Sequence, residues 1–199
     1  LSFHIISQVG YMVLGLALFT PLALAGAIVY LVHHIIVKAN LFLISGLVRQ
    51  AGGTFNLKHV GGLYKTHGLL AVGFFIPAFA LAGFPPLSGF WAKLLIIIAS
   101  LESQQYTLAV LATMVGLLTV FSMIKIWSEA FWKKSPSEYQ KTPIKHPLST
   151  WMLTPVLILG LITILLGLFM EPVIRFAMFA AGQLMDPQPY ISAVLGGGR

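Results

Sequence analysis

Apolar side chains run through this sequence in long blocks, and polar ones gather in the gaps between them. A membrane-crossing helix needs about 20 mostly apolar residues, and several blocks reach or approach that length. Leu1 to Phe19 is the first, with His4 and Gln8 as its strongly polar side chains. Thr20-Pro21 follows as a turn, since proline is tolerated at a helix start. Leu22 to Val48 is the second block, interrupted by His33, His34 and Lys38. Residues 49–67 form a polar connection rich in Gly and Lys. Gly68 to Leu101 is apolar again but is broken at 83–89 by the run GFPPLSG. Pro85 and Pro86 donate no backbone hydrogen bond, and each disfavours helix in the residue before it. Each half is about 22 Å of helix, short of the roughly 30 Å hydrocarbon core. Tyr106 to Trp132 and Trp151 to Met170 are the fourth and fifth blocks, and Pro172 to Met185 continues more weakly as an interfacial amphipathic helix.

Composition turns this pattern into a class. Hydrophobic residues make up 58% and charged ones 9% of 199 residues, against about 25% charged in an ordinary soluble domain. Such a chain cannot coat a water-facing globule, so it reads as an all-α integral membrane protein. The formal net charge of +7 would suggest nucleic acid in a polar protein. Here the Lys and Arg sit mainly in two short stretches between apolar blocks, which points to topology and not to nucleic acid. No cysteine is present, so disulfides and thiolate sites are excluded. The chain opens on Leu1, as though already inside a helix, and reads as a fragment or a processed product.

The broken block could be one crossing or two. With one crossing, 49–67 and 133–150 share a side and collect Arg49, Lys58, Lys65, Lys133, Lys134, Lys141 and Lys145, leaving only Arg175 and Arg199 opposite. With two crossings the bias vanishes. The positive-inside rule therefore favours one broken crossing, both basic loops cytoplasmic, and about five crossings in total. Broken backbone at membrane depth is tolerated where protein or a water-filled cavity meets the freed polar groups, and it often marks an ion site in a transporter. A simple proline kink or a tight hairpin is the plainer alternative.

A few charges lie too deep to set topology. A Lys at the centre of a crossing costs about 2.5–3.5 kcal/mol on insertion scales. Lys38 has about ten apolar residues after it, and His34 lies one turn earlier on the same helix face. Two such groups could pass a proton, directly or through water. Lys93 follows the prolines by seven residues with no acid near it in sequence. Lys125 has Glu129 one turn on, so a local ion pair or snorkelling toward the helix end explains it equally well. His33 points about 100° away from His34, so packing or a hydrogen bond accounts for it as readily as a relay. His4 is near the start, and His59, His67 and His146 sit in or beside polar loops as solvated residues. No HExxH or carboxylate cluster, and no phosphate loop after a strand, is present. No metal, nucleotide or other cofactor is expected, and a membrane enzyme or a mere anchor fits the deep lysines poorly.

An ordered series of motifs carries a resemblance. SQVGYM at Ser7–Met12, HIIVKANLF at His34–Phe42, GGL at Gly61–Leu63 and AGFPPLSGFWAK at Ala82–Lys93 are similar to the C-terminal half of a known subunit family. It is the antiporter-like membrane subunits shared by Mrp-type sodium/proton antiporters and respiratory complex I. FSMIKIWSEAFW at Phe121–Trp132 and YISAVL at Tyr190–Leu195 resemble the D subunits of Mrp complexes in particular. The resemblance implies a fragment of a roughly fourteen-helix bundle, with residues 1–132 from its second repeat, 133–150 a basic loop and 151–199 a C-terminal helix, amphipathic segment and tail. It implies a proton path through Lys38, His34 and Lys93, with Lys125 and His33 as lesser members, beside the break formed by Gly83, Pro85, Pro86, Ser88 and Gly89. It further implies a lipid bilayer, partner subunits, the absent N-terminal half of the same subunit, H+ and Na+ or another monovalent cation, and the plasma membrane of a prokaryote. The alternative is the homologous proton-pumping subunit of NADH-quinone oxidoreductase or of a related hydrogenase complex.

Overall fold

A computed structural model describes residues 2–134 and 150–196, so Lys141, Lys145 and His146 lie outside the described residues. The order is α1 (Ser2–Leu18), α2 (Pro21–Gly52), α3 (Leu63–Thr66), α4 (Gly68–Ala82), α5 (Ser88–Glu102), α6 (Tyr106–Trp127), a π-helical turn (Ser128–Trp132), α7 (Thr150–Leu168), α8 (Met170–Met185) and α9 (Gln188–Leu195). No strand occurs among the described residues. Three helical stretches are long and apolar enough to cross a membrane: Pro21–Gly52, Tyr106–Trp132 and Trp151–Leu168. The chain is a multi-pass, all-α membrane protein.

α2 is the hub, packing against α1, α4, α5, α7 and α8. Its start is set by Thr20, whose hydroxyl accepts the Ala23 N–H at 3.2 Å, with Pro21 in the first turn. Its end comes at Gly53, in the left-handed region at φ 76°, where the cap N–H bonds to Arg49 O at 2.7 Å. The helix thus outruns its apolar block, which ends at Val48, by one turn. Arg49 and Gln50 are polar but good helix formers, and only Gly53 stops them.

The buried apolar residues fall into two clusters, one on each side of the break. One joins the C-terminal half of α2 (Val37, Leu41, Ile44) to α4 (Leu70, Phe74, Leu81), Met123 and Phe131. The other joins the N-terminal half of α2 (Leu24, Val29, Tyr30) to Tyr11, Ala92, Ile96 and to Ala177 and Ala181 of α8. Small residues allow the close approach that membrane packing depends on. The break itself spans Gly83–Leu87, so Ser88 and Gly89 belong to the first turn of α5 and not to the loop. The first residues after the π-helical turn return to the 49–67 connection: Lys133 Nζ donates to Lys58 O at 2.9 Å. A chain leaving and returning to that connection passes an even number of times, which fits α4 and α5 as two halves of one passage followed by α6. An extra helix, α9, occupies what the sequence reads as tail.

Candidate functional site

The prolines set the site's first requirement. In a continuing α-helix the N–H groups of residues 85 and 86 would bond to the carbonyls of Leu81 and Ala82. Both residues are proline, so neither carbonyl receives that bond. The helix closes instead on Gly83, at φ 88°, whose N–H donates to Phe79 O at 3.1 Å and Ala80 O at 3.0 Å. Leu81 O and Ala82 O are left facing the interior. Lys93, one and a half turns into α5, fills the gap: its Nζ donates to Leu81 O at 2.9 Å and to Ala82 O at 3.2 Å. An unmet backbone group in a membrane costs several kcal/mol, and a cation at a helix C-terminus also meets the negative end of the helix dipole. Tyr11 adds a ring face 5.4 Å from Nζ. Lys93 is 6% exposed and is held by backbone, not by an acid.

α2 brings the other titratable groups to the same level. His34 and Lys38 share one face of the helix and are both buried. His33 is 1% exposed and turns toward α5, where its Nδ1 lies 2.8 Å from Ser88 Oγ. His33 is thus packed in the interior with one ring nitrogen hydrogen-bonded. The Nε2 atoms of His33 and His34 have no hydrogen-bond partner among the described residues.

Aromatic and amide groups link these to α1 and α6. Tyr30, one turn before His34, donates to Gln8 Oε1; the Gln8 amide donates to Thr119 Oγ1 at 3.2 Å. Tyr30 stacks on Tyr11 with centroids 5.1 Å apart and meets the His33 ring edge-on at 5.8 Å. Tyr11 in turn donates to Ala112 O on α6. Sequence reasoning passes over Tyr30 and gives Gln8 no role. Tyr30, His34 and Lys38 recur at four-residue spacing, the one signal that places Tyr30 on the same face as the other two. Asn40 reaches the other way, its Nδ2 donating to Val156 O of α7 at 3.1 Å.

Lys125 does not join this group. It is exposed, and the ion pair suggested with Glu129 is not the one that forms. Glu129 bonds to Lys133 at 2.8 Å, because Lys133 is one turn on and is also anchored to Lys58 O. His4 bonds through Nε2 to Ser122 Oγ at 2.7 Å, tying α1 to α6. No group of three or more His, Cys, Asp or Glu comes together among the described residues. The site is therefore a buried layer of bases, hydroxyls and exposed carbonyls around a helix break, between two apolar clusters. Its groups can hold, orient and exchange protons.

Comparison with known proteins identifies a family. Residues 1–119 match the family described as NADH:quinone oxidoreductase/Mrp antiporter, TM. The chain is similar to the D subunit of the Na(+)/H(+) antiporter of Alkalihalophilus pseudofirmus, at 49% identity over 98% of this chain and 39% of that protein. It is also similar to NADH-quinone oxidoreductase subunit N of Desulforudis audaxviator, at 31% identity over 87% of this chain and 36% of that protein. A solved structure of the Mrp complex from Dietzia sp. DQ12-45-1b contains a chain that superposes with a TM-score of 0.87 at 37% identity, covering 98% of this chain and 44% of that one. The chain thus spans about 39% of the length of the Alkalihalophilus relative it matches.

Proposed function

The chain belongs to the NADH:quinone oxidoreductase/Mrp antiporter transmembrane family, and from that we propose that it is part of a proton-translocating subunit of a multi-subunit Na+/proton antiporter. Lys93, His34 and Lys38 carry the proton, with His33 as a lesser member, while Lys125, which the resemblance also suggests, is exposed and stands outside the path. The remaining length of the subunit supplies the other part of the path, and further subunits complete the complex. It works in the plasma membrane of a prokaryote, with 49–67 and 133–150 on the cytoplasmic side. It is a transporter component and not an enzyme.

The observation that carries this reading is Lys93, a buried cation held on two carbonyls that the prolines have stripped of their donors. A charge kept on neutral backbone, without an acid, can leave as a proton without stranding a counter-charge. The pumping subunit of NADH-quinone oxidoreductase is the second reading, favoured by the similarity to subunit N, and it would use the same groups. Co-purifying subunits separate the two, since quinone-linked or iron–sulfur partners belong only to the second.

The test is Lys93→Ala in the full-length subunit within its complex, assayed as Na+-dependent collapse of a pH gradient in inverted membrane vesicles. Antiport should fall at least about tenfold while the subunits still co-purify. Undiminished antiport by an assembled variant would remove Lys93 from the path.

A further inference from the structure

The chain leaving α2 reads RQAGGTFNLK over residues 49–58, with Phe55 and Leu57 as large apolar side chains among polar neighbours. Local bonds fix where those two go. Asn56 N–H donates to Thr54 Oγ1 at 3.1 Å, and Lys58 N–H donates to Asn56 Oδ1 at 3.1 Å. These side-chain-capped turns hold Phe55 and Leu57 against the end of the bundle, where both line a cavity of about 250 Å³. Ile44 and Val48 of α2 form one wall, and Ile126 with Phe131 forms the other. Phe55 is 61% exposed, so it marks the mouth. The apolar block of α2 ends at Val48, which puts Arg49 where hydrocarbon gives way to headgroups.

Cations stand around that mouth. The Arg49 guanidinium lies over the Phe55 ring, 4.8 Å from its centroid. Such stacking uses the face of the guanidinium and leaves its N–H edge to donate. Lys58 follows Leu57 and Lys125 precedes Ile126, so each adjoins a wall residue, and all three cations are exposed. Arg49 and Lys125 have no ion-pair partner among the described residues. Glu129, the acid nearest Lys125 in sequence, is taken by Lys133. An apolar slot with unbalanced cations at its mouth, at the end of a membrane-spanning bundle, complements an amphiphile with an anionic head.

We propose that this cavity is a binding site for an anionic phospholipid. One acyl chain enters between the end of α2 and the end of α6, and the phosphate is held by Arg49 with Lys58 and Lys125 beside it. Arginine suits this task because its planar fork donates two parallel hydrogen bonds to a phosphate. Phe55 serves both parts of the lipid: its face steadies the guanidinium, and its edge covers the top of the acyl chain. Lys125, which stands apart from the buried layer at the break, thereby gains a partner. The site is independent of which residues move the proton.

The test is photolabelling of the assembled, full-length complex in nanodiscs. One sample contains phosphatidylglycerol with a diazirine on an acyl chain, the other the matching phosphatidylcholine, and adducts are mapped by peptide mass spectrometry. Phosphatidylglycerol should label residues 41–48 and 126–131 at least about fivefold more than phosphatidylcholine, the worth of one cationic side chain beside an anionic headgroup. Arg49→Gln, which keeps a good helix former, should lower that labelling at least about fivefold. Lys125→Gln should lower it about two- to fivefold. Labelling at Leu117 and Leu118, exposed in the middle of α6, should stay constant in both variants. Equal labelling by the two lipids would overturn the proposal, and so would unchanged labelling in an assembled Arg49→Gln complex. Absence of adducts in the two segments would also overturn it, since another subunit or another part of this one would then fill the cavity. If Arg49→Gln does not assemble, the two lipids compared on the unmodified complex decide.

Discussion

The two halves of the broken passage are equal in length, 15 residues each, and opposite in chemistry. α4 contains no charged side chain and offers the site only its terminal carbonyls. α5 opens on Ser88 and Gly89 and carries Lys93, so it supplies the groups that move. What separates them is five residues, Gly83–Leu87, two of which are prolines. On the proposed reading, a proton site at membrane depth needs no buried acid. Removing two N–H donors from one half and placing a lysine on the other creates partners of matched polarity.

That contrast can be broken at several points. The largest structural effect should come from Gly89→Ala, since the new methyl would sit 1.9 Å from Ala80 O. Overpacking of this kind costs on the order of 3 kcal/mol, to be read as a lowered unfolding temperature or lost assembly in detergent. A variant as stable as the parent would mean that α4 and α5 can slide apart freely. Gly83→Ala should cost less, about 1–2 kcal/mol, because it strains a residue at φ 88° and crowds the Lys93 stem at 3.0 Å. Its diagnostic reading is function: antiport should drop further than the stability loss alone accounts for, as Lys93 is pushed off its carbonyls. Trp91→Phe removes only the indole bond to Gly167 O at 3.0 Å, a loss of about 1 kcal/mol that thermal unfolding in detergent would resolve. Lys125→Ala should do least to transport, within about threefold of the parent, because this side chain is exposed and lies outside the layer. A loss equal to that of Lys93→Ala would place it in the path after all.

Much of this is legible in the sequence, for identifiable reasons. The apolar blocks, the break and the depth of Lys38 and Lys93 all follow from composition and from proline's missing N–H. The boundaries of α2 do not follow, because Arg49 and Gln50 resemble a connection while helix geometry continues to Gly53. Ser88 and Gly89 read as loop since they adjoin the prolines, although Leu87 already begins the turn into α5. The tie between Lys93 and Leu81 O is hidden because it involves backbone, whose hydrogen-bonding need emerges only once the prolines are counted against specific carbonyls. The Gln8–Tyr30 bond joins different helices, and local spacing has no access to such pairs. Glu129 has a lysine one turn away on either side, so only the fold could choose Lys133.

α2 has 32 residues and is therefore about 48 Å long, well beyond the roughly 30 Å of hydrocarbon. It runs unbroken beside a passage that is cut in two. A rod of that length turns as one piece: a swing of about 5° about its middle carries each end by about 2 Å. The histidines lie near the pivot, where displacement is least, and the Arg49 end, beside the basic connections, lies where it is greatest. Leverage along α2 would turn a small tilt at its middle into a larger displacement at its ends.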